Sequence, residues 1–67
     1  NEQVDALEAL LESIRTMDWH QTDETLTGLV LMQNMADRTS PNYDRYLDAI
    51  TRCFHALRDR RYEIARR

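Results

Sequence analysis

The sequence predicts an all-α fold, a single small domain of three helices completed by a second copy of the chain. Apolar residues recur at helical spacings of three and four along most of the chain. Gly and Pro occur once each in 67 residues, and 42% of the residues are hydrophobic, a composition that disordered chains do not have. A chain this short rarely buries a core that is sufficient on its own, and its single cysteine excludes an internal disulfide.

The first helix is predicted over residues 2–17. Val4, Leu7, Leu11 and Ile14 recur at the spacing that places them on one side of a helix. Acids near the start of a helix also interact favourably with its N-terminal dipole. The other side of this helix carries the acids Glu2, Asp5, Glu8 and Glu12.

The second helix is predicted over residues 22–37, with Thr22 as its N-cap and Asp18-Trp19-His20-Gln21 as the break before it. Every side of this helix is apolar between Leu29 and Met32, so it needs cover on more than one side. Two neighbouring helices of so short a chain do not supply that cover, which predicts a homodimer. The predicted dimer-interface residues are Leu29, Val30, Leu31, Met32, Met35, Ile50, Phe54 and Leu57.

The third helix is predicted over residues 41–65. Ser40 as N-cap and Pro41 at the first helical position form a typical start signal. An apolar seam then repeats from Tyr43 to Ile64. At 1.5 Å per residue this helix is the longest of the three, and its arginine-rich last turns are expected to extend beyond the others.

The net charge of −3 is unevenly distributed along the chain. Residues 1–37 hold eight acids and one arginine, whereas residues 38–67 hold eight arginines and four acids. All nine basic residues are arginines, the residue best suited to bidentate and stacked contacts. This separation predicts one acidic surface and one basic surface.

Signals of catalysis are almost absent from the sequence. The single glycine excludes a glycine-rich phosphate loop. Cys53 and His55 are two positions apart, so their side chains diverge on a helix and do not form a nucleophile–base pair. We therefore expect no enzymatic activity, no catalytic residue, no metal site and no cofactor.

Membrane insertion is also not expected, because the longest strictly apolar run is four residues, Leu29 to Met32. No charged n-region followed by an apolar h-region indicates a signal peptide. These observations, with the single cysteine, predict a soluble protein of a reducing compartment, the cytoplasm.

The residues predicted to contact a partner combine an aromatic anchor with charged surfaces. Trp19 stands in a break between helices, and tryptophan and arginine dominate interface hot spots. An acidic face can dock on a basic protein surface, such as a DNA-binding domain, with gains in steering and specificity. The predicted partner-binding residues are Trp19, Asp5, Glu8, Glu12, Arg58 and Arg61.

The arginine-rich end of the third helix leaves a second possibility open, a small nucleic-acid-binding regulator. Asp59 and Glu63 lie inside that cluster, and the overall charge is negative, whereas DNA-binding domains carry a basic excess on one face. The sequence therefore favours a protein partner over a nucleic acid.

In length, lysine-free arginine usage and helix layout, the chain resembles the small all-helical host-takeover proteins of bacteriophages. The features that carry this resemblance are the Val4–Met17 helix and the long helix started by Ser40-Pro41. Among such proteins it is similar to the anti-quorum-sensing proteins of Mu-like phages of Pseudomonas. The resemblance implies a small dimer in the host cytoplasm that binds the DNA-binding domain of a quorum-sensing transcription activator, and a type IV pilus assembly ATPase. It assigns no role to an individual residue.

Overall fold

The computed structural model describes residues 2–67, and three α-helices account for most of them. They are α1 (Glu2–Ile14), α2 (Trp19–Asn34) and α3 (Tyr43–Ala65). No strand occurs within this part of the chain, which confirms the predicted all-α class with three helices.

Helix α1 ends three residues earlier than predicted, because its last turn tightens. The amides of Arg15, Thr16 and Met17 each donate to the carbonyl three residues before them, at 3.2–3.3 Å. Such i→i−3 bonds satisfy the last carbonyls of a helix while ending its α-geometry.

Helix α2 begins at Trp19, three residues before the predicted cap. Asp18 is the N-cap: its Oδ1 accepts from the Gln21 amide at 2.8 Å, and Gln21 Oε1 accepts from the Asp18 amide at 2.9 Å. This reciprocal pair is a capping box. Thr22, the predicted cap, is instead buried inside the helix, where its hydroxyl donates to the Trp19 carbonyl at 2.7 Å.

Helix α3 begins at Tyr43, two residues after the predicted start at Pro41. The Ser40 carbonyl accepts from the Tyr43 amide at 3.1 Å, and the Ser40 hydroxyl accepts from the Asn42 amide. These bonds form a turn over Ser40–Tyr43 in place of a first helical turn.

Upstream, hydrogen bonds from Thr39 to the Asp37 carboxylate hold the pKa of Asp37 below its usual range.

Helix α3 is the central element, since α1 and α2 each pack mainly on it and contact one another little. The Cys53 thiol donates to the Leu7 carbonyl, and Arg60 donates to the Met17 carbonyl, so α1 runs parallel to α3. Asp23 lies beside Arg61, whereas the end of α2 lies near the start of α3, so α2 runs antiparallel to it. The result is an elongated body of 43 × 19 × 14 Å.

The core lies along α3 and is narrow. Within residues 2–67, its buried apolar side chains come from one face of each helix, with α3 contributing half of them. They are Val4, Leu7, Ile14, Leu29, Ala49, Ile50, Cys53 and Leu57.

No helix within residues 2–67 combines the length and the hydropathy needed to cross a bilayer.

Candidate functional site

Carboxylates from two helices line a groove between α1 and α3, which we call the acidic groove. Glu8 and Glu12 stand on the α1 side and Asp59 and Glu63 on the α3 side. Each pair is spaced by four residues, so its members lie one helical turn apart on the same side. The groove has a volume of about 760 Å³, and the apolar residues in its lining are Leu11, Ile14 and Ala56.

Two arginines also line the acidic groove, but they do not neutralise it. Arg15 is exposed and its Nε lies 3.9 Å from the Glu12 carboxylate. Arg60 points inward: its side chain is 13% exposed, and Nε donates to the Met17 carbonyl at 2.8 Å. Its Nη1 lies 3.3 Å from Glu63. The rim therefore keeps an excess of exposed negative charge.

The predicted acidic residues are all exposed on α1. Glu8 and Glu12 lie in the acidic groove, whereas Asp5 is not among its lining residues. The structure therefore joins two of the three predicted α1 acids with two acids of α3 that the sequence analysis had counted only against nucleic-acid binding.

Trp19 and Arg61, predicted separately as contact residues, meet in one cluster. The Arg61 guanidinium carbon lies 3.9 Å from the centroid of the Trp19 ring, a cation–π stack. Arg61 Nη1 lies 3.6 Å from Asp23 Oδ1, which is an ion pair but beyond hydrogen-bonding distance. Trp19 stays 48% exposed. We call Trp19, Arg61 and Asp23 the Trp19–Arg61 cluster.

The arginine-rich end of α3 is largely engaged within the chain. Arg60 contacts the connection after α1, and Arg61 contacts the start of α2. The Arg58 side chain is 71% exposed, with Nε 3.4 Å from Asp59 Oδ1. The Arg66 guanidinium lies over the Tyr62 ring at 5.8 Å. Arg60, Arg61 and Arg66 thus have partners within the chain, whereas Arg58 stays largely exposed.

The predicted dimer-interface residues divide into three groups by burial. Leu29, Ile50 and Leu57 are at most 1% exposed, so they fill the core of the single chain and offer no side-chain surface to a second copy. Helix α3 covers the inner face of α2 at these positions, and their part in a dimer stays a prediction. Met32 and Phe54 pack partly buried against that core. The exposed group is Val30, Leu31 and Met35.

These three exposed residues form the α2 apolar patch. Leu31 is 56% exposed and Met35, one turn later, is 82% exposed. Beside them, a second groove of about 510 Å³ opens between the end of α2 and the start of α3, with Met32, Tyr43 and Tyr46 in its lining. Exposed contiguous apolar surface of this kind is typical of interaction sites.

Chemistry-bearing groups are dispersed in the described part of the chain. Among residues 2–67, no three His, Cys, Asp or Glu side chains come together as metal ligands would. Cys53 is buried, where desolvation raises the pKa of its thiol, whereas His55 is exposed. His20 contacts Glu24 at 2.6 Å on the surface of α2.

Three residues of the candidate surfaces were not selected from the sequence, because their place in a surface depends on how the helices pack. Asp59 and Glu63 join the acidic groove only because α1 runs parallel to α3. Asp23 joins the Trp19–Arg61 cluster only because α2 runs antiparallel to it. The one signal in the sequence was the matching four-residue spacing of the two pairs of acids.

Comparisons with known proteins add no relative to these surfaces. The chain matches no protein-family model, no curated protein and no solved structure. The functional argument therefore depends on the surfaces themselves.

Proposed function

We propose that this chain is a non-enzymatic regulator that binds a basic helix of a partner protein in the acidic groove and thereby occupies that surface. The observation that carries the proposal is the arrangement of carboxylates on both sides of an apolar lining, Glu8 and Glu12 facing Asp59 and Glu63. Acids on one helix alone would be an ordinary solvated face. Acids on both sides of a groove are complementary to a ligand with two basic edges.

The chemistry of the groove suits an amphipathic helix with basic flanks. Its apolar side chains would contact the lining at Leu11 and Ala56, and its Arg or Lys side chains would reach the carboxylates on either side. Helix-in-groove recognition of this kind derives its affinity from the apolar contacts, while the charges set specificity and association rate.

DNA-binding domains form one class of protein with such helices, because their recognition surface is basic. A regulator that covered this surface would prevent DNA binding without touching DNA itself. The transcription activator implied by the resemblance to phage host-takeover proteins belongs to this class. No feature of the surface selects a pilus assembly ATPase, and that partner stays a prediction.

Capture from a nuclease-treated bacterial lysate tests the proposal with charge-matched variants. The groove variant carries Glu8→Gln and Glu12→Gln. The control carries Glu24→Gln and Asp44→Asn, which remove the same charge from exposed sites outside the groove lining. We expect the control to retain the partner, and the groove variant to bind it about fivefold or more weakly, as the loss of two exposed charge contacts implies.

Two outcomes would contradict the proposal. Equal capture by both variants would show that the groove is not the contact surface. Capture that disappears on nuclease treatment would instead support the alternative, a nucleic-acid-binding regulator acting through the arginine-rich end of α3. A purified partner adds a further check, since binding in the groove should weaken steeply as salt rises.

We also propose that the chain is a homodimer through the α2 apolar patch. Residues 25–36 contain no charged side chain, whereas the rest of the surface carries the net charge of −3. In a two-fold dimer each patch faces its own copy, so a neutral patch avoids the repulsion that a charged one would cause. Val30, Leu31 and Met35 supply the exposed apolar surface that such a contact buries.

Sedimentation equilibrium tests the dimer directly. Leu31→Glu should convert the protein to a folded monomer at micromolar concentration. Tyr62→Glu places the same charge at another exposed large side chain and should leave the dimer intact. A wild-type protein that sediments as a monomer would overturn the dimer but not the groove proposal.

A further inference from the structure

The Trp19–Arg61 cluster lies on the side of α3 that the acidic groove does not use. Arg60 and Arg61 are consecutive, so their side chains leave α3 about 100° apart. Arg60 reaches the connection after α1 and lines the acidic groove. Arg61 reaches the start of α2. The molecule thus carries an acidic surface and a basic aromatic surface on two sides of one helix.

The guanidinium of Arg61 is held in place but only partly neutralised. Stacking on the Trp19 ring at 3.9 Å fixes the plane of the guanidinium. Its Nη1 is shut off from solvent and forms no hydrogen bond. The only carboxylate paired with it in the described residues is Asp23, at 3.6 Å with a side chain that is 67% exposed. About a quarter of the Arg61 side chain remains open to solvent.

Further aromatic and basic groups lie along the last turns of α3, on the face next to Arg61 and away from Arg60. Tyr62 is 67% exposed and follows Arg61 directly. Arg58 and Arg66 lie one helical turn before and after Tyr62, on its side of α3, and Arg66 stacks over the Tyr62 ring. Exposed Trp and Tyr beside oriented Arg is the composition of an interface hot spot.

We propose that the Trp19–Arg61 cluster is a second docking surface, which takes an acidic peptide segment of a partner protein. A carboxylate of the segment pairs with the Arg61 guanidinium, an apolar neighbour packs on Trp19 or Tyr62, and Arg58 and Arg66 attract the remaining acids. Fixed guanidinium planes bind carboxylates well because little side-chain entropy is lost. An incoming carboxylate would compete for Arg61 with Asp23, the carboxylate that is paired with it in the free protein.

A discrete acidic segment fits this surface better than a nucleic acid does. Asp23 and Asp59 stand close to the arginines, and they would repel the continuous phosphate backbone on either side of a bound nucleotide. A peptide can place one carboxylate on Arg61 and keep uncharged residues next to Asp23.

The single tryptophan of the chain makes the surface directly observable. The indole signal of ¹⁵N-labelled protein reports on Trp19 alone. The probes are a blocked peptide of alternating Glu and Leu, its twin with Gln in place of every Glu, and a single-stranded oligonucleotide. We expect a saturable shift of the Trp19 indole signal with the acidic peptide, and none with the other two.

Three variants make the test specific. Arg61→Lys keeps the charge but loses the planar stack, and should weaken peptide binding about fivefold or more, whereas the matched change Arg58→Lys should have little effect. Asp23→Asn removes the internal competitor and should strengthen binding roughly two- to fivefold, the size of one exposed ion pair. Misfolding does not strengthen peptide binding. The Asp23→Asn variant therefore tests the proposal even if Arg61→Lys fails to fold.

The proposal fails if the Gln twin shifts the indole as much as the acidic peptide, if only the oligonucleotide binds, or if Asp23→Asn leaves binding unchanged or weaker. The test is independent of the proposed function. The groove variant Glu8→Gln with Glu12→Gln should bind the acidic peptide as well as the wild type does, whether or not the acidic groove has a partner.

Discussion

Asp18 and Asn42 occupy the N-cap positions of α2 and α3, but only one of them caps its helix through its side chain. Asp18 caps α2 through a reciprocal hydrogen-bond pair with Gln21. Asn42 precedes α3 in the cap position, but its side chain forms no capping bond. The contribution of a cap comes from the bond to the free amides of the first turn. The two positions therefore form an internal comparison.

Asp18→Ala should lower the free energy of unfolding by about 1 kcal/mol, because it removes the accepting carboxylate of the capping box. Asn42→Ala should change that free energy by less than about 0.5 kcal/mol. Urea unfolding followed by helical circular dichroism measures both. Equal losses in the two variants would show that the Asp18 bonds do not stabilise α2.

Cys53 gives the folded protein a dependence on alkaline pH. Burial raises the pKa of its thiol in the folded state, against a smaller opposite effect of Arg52. A raised folded pKa means that the folded state holds the proton more tightly, so its stability is complete below the ordinary thiol pKa of about 8.5 and falls as the pH rises above it.

Between about pH 7 and pH 9.5, the wild type should therefore lose more unfolding free energy than Cys53→Ala does. The comparison removes the contribution of other titrating groups, which the two proteins share. Denaturant unfolding at several pH values provides the measurement. Parallel pH profiles for the two proteins would contradict the assignment.

At the scale of the elements, Arg60 fastens the connection between α1 and α2 to α3. Its Nε–H donates to the Met17 carbonyl at 2.8 Å from a side chain that is 13% exposed. A half-buried hydrogen bond from a charged donor contributes more to the free energy of unfolding than an exposed one does. Packing between α3 and the rest of the chain therefore continues to Arg60. The end of α3 that extends beyond the other helices is shorter than the sequence analysis predicts.

Arg60→Gln should lower the free energy of unfolding by about 1–3 kcal/mol and speed the hydrogen exchange of amides in residues 15–18. Arg58→Gln, at an exposed neighbouring arginine, should do neither. Native-state hydrogen exchange followed by NMR tests both effects. Unchanged exchange in the Arg60 variant would mean that the connection is held by other contacts.

The sequence was sufficient to predict three helices, because the apolar spacing is a property of each segment. It was not sufficient for the helix starts. Thr22 has the side chain of a cap, but Asp18 with Gln21 satisfies two free amides instead of one. Ser40 and Pro41 have the pattern of a helix start, but Ser40 accepts two hydrogen bonds in a turn before the helix begins. In both cases, the hydrogen bonds that fix the start of the helix depend on neighbouring residues and not on the cap residue type alone.

The candidate surfaces could be predicted only in part, because they depend on how the three helices pack together. Trp19, Arg61, Glu8 and Glu12 could be selected by residue type. Their grouping depends on the direction in which α1 and α2 lie on α3, which no local pattern encodes. The same packing explains why Leu29, Ile50 and Leu57 lie in the chain's own core.

For the whole molecule, the narrow core predicts a stability that depends on concentration. If the α2 apolar patch joins two copies, association stabilises the folded state by mass action. The Tm of the wild type should then rise by a few degrees per tenfold increase in protein concentration, whereas the Tm of Leu31→Glu should stay constant. Thermal scans across concentrations measure this, and a constant wild-type Tm would contradict the dimer.

Helices α1 and α2 both pack on α3 but hardly contact each other. This arrangement affects which sequence changes the protein can tolerate. Energetic coupling between residues requires contact or a shared partner. Double-mutant cycles should find coupling between α1 and α3, as for Leu7 with Cys53, and between α2 and α3, as for Trp19 with Arg61. Pairs of exposed residues drawn from α1 and α2, which contact neither each other nor a common residue of α3, should be additive. In evolution, α1 and α2 would then vary independently of one another, each constrained by α3, so that a new acidic or basic surface could arise on one helix while the other is unchanged.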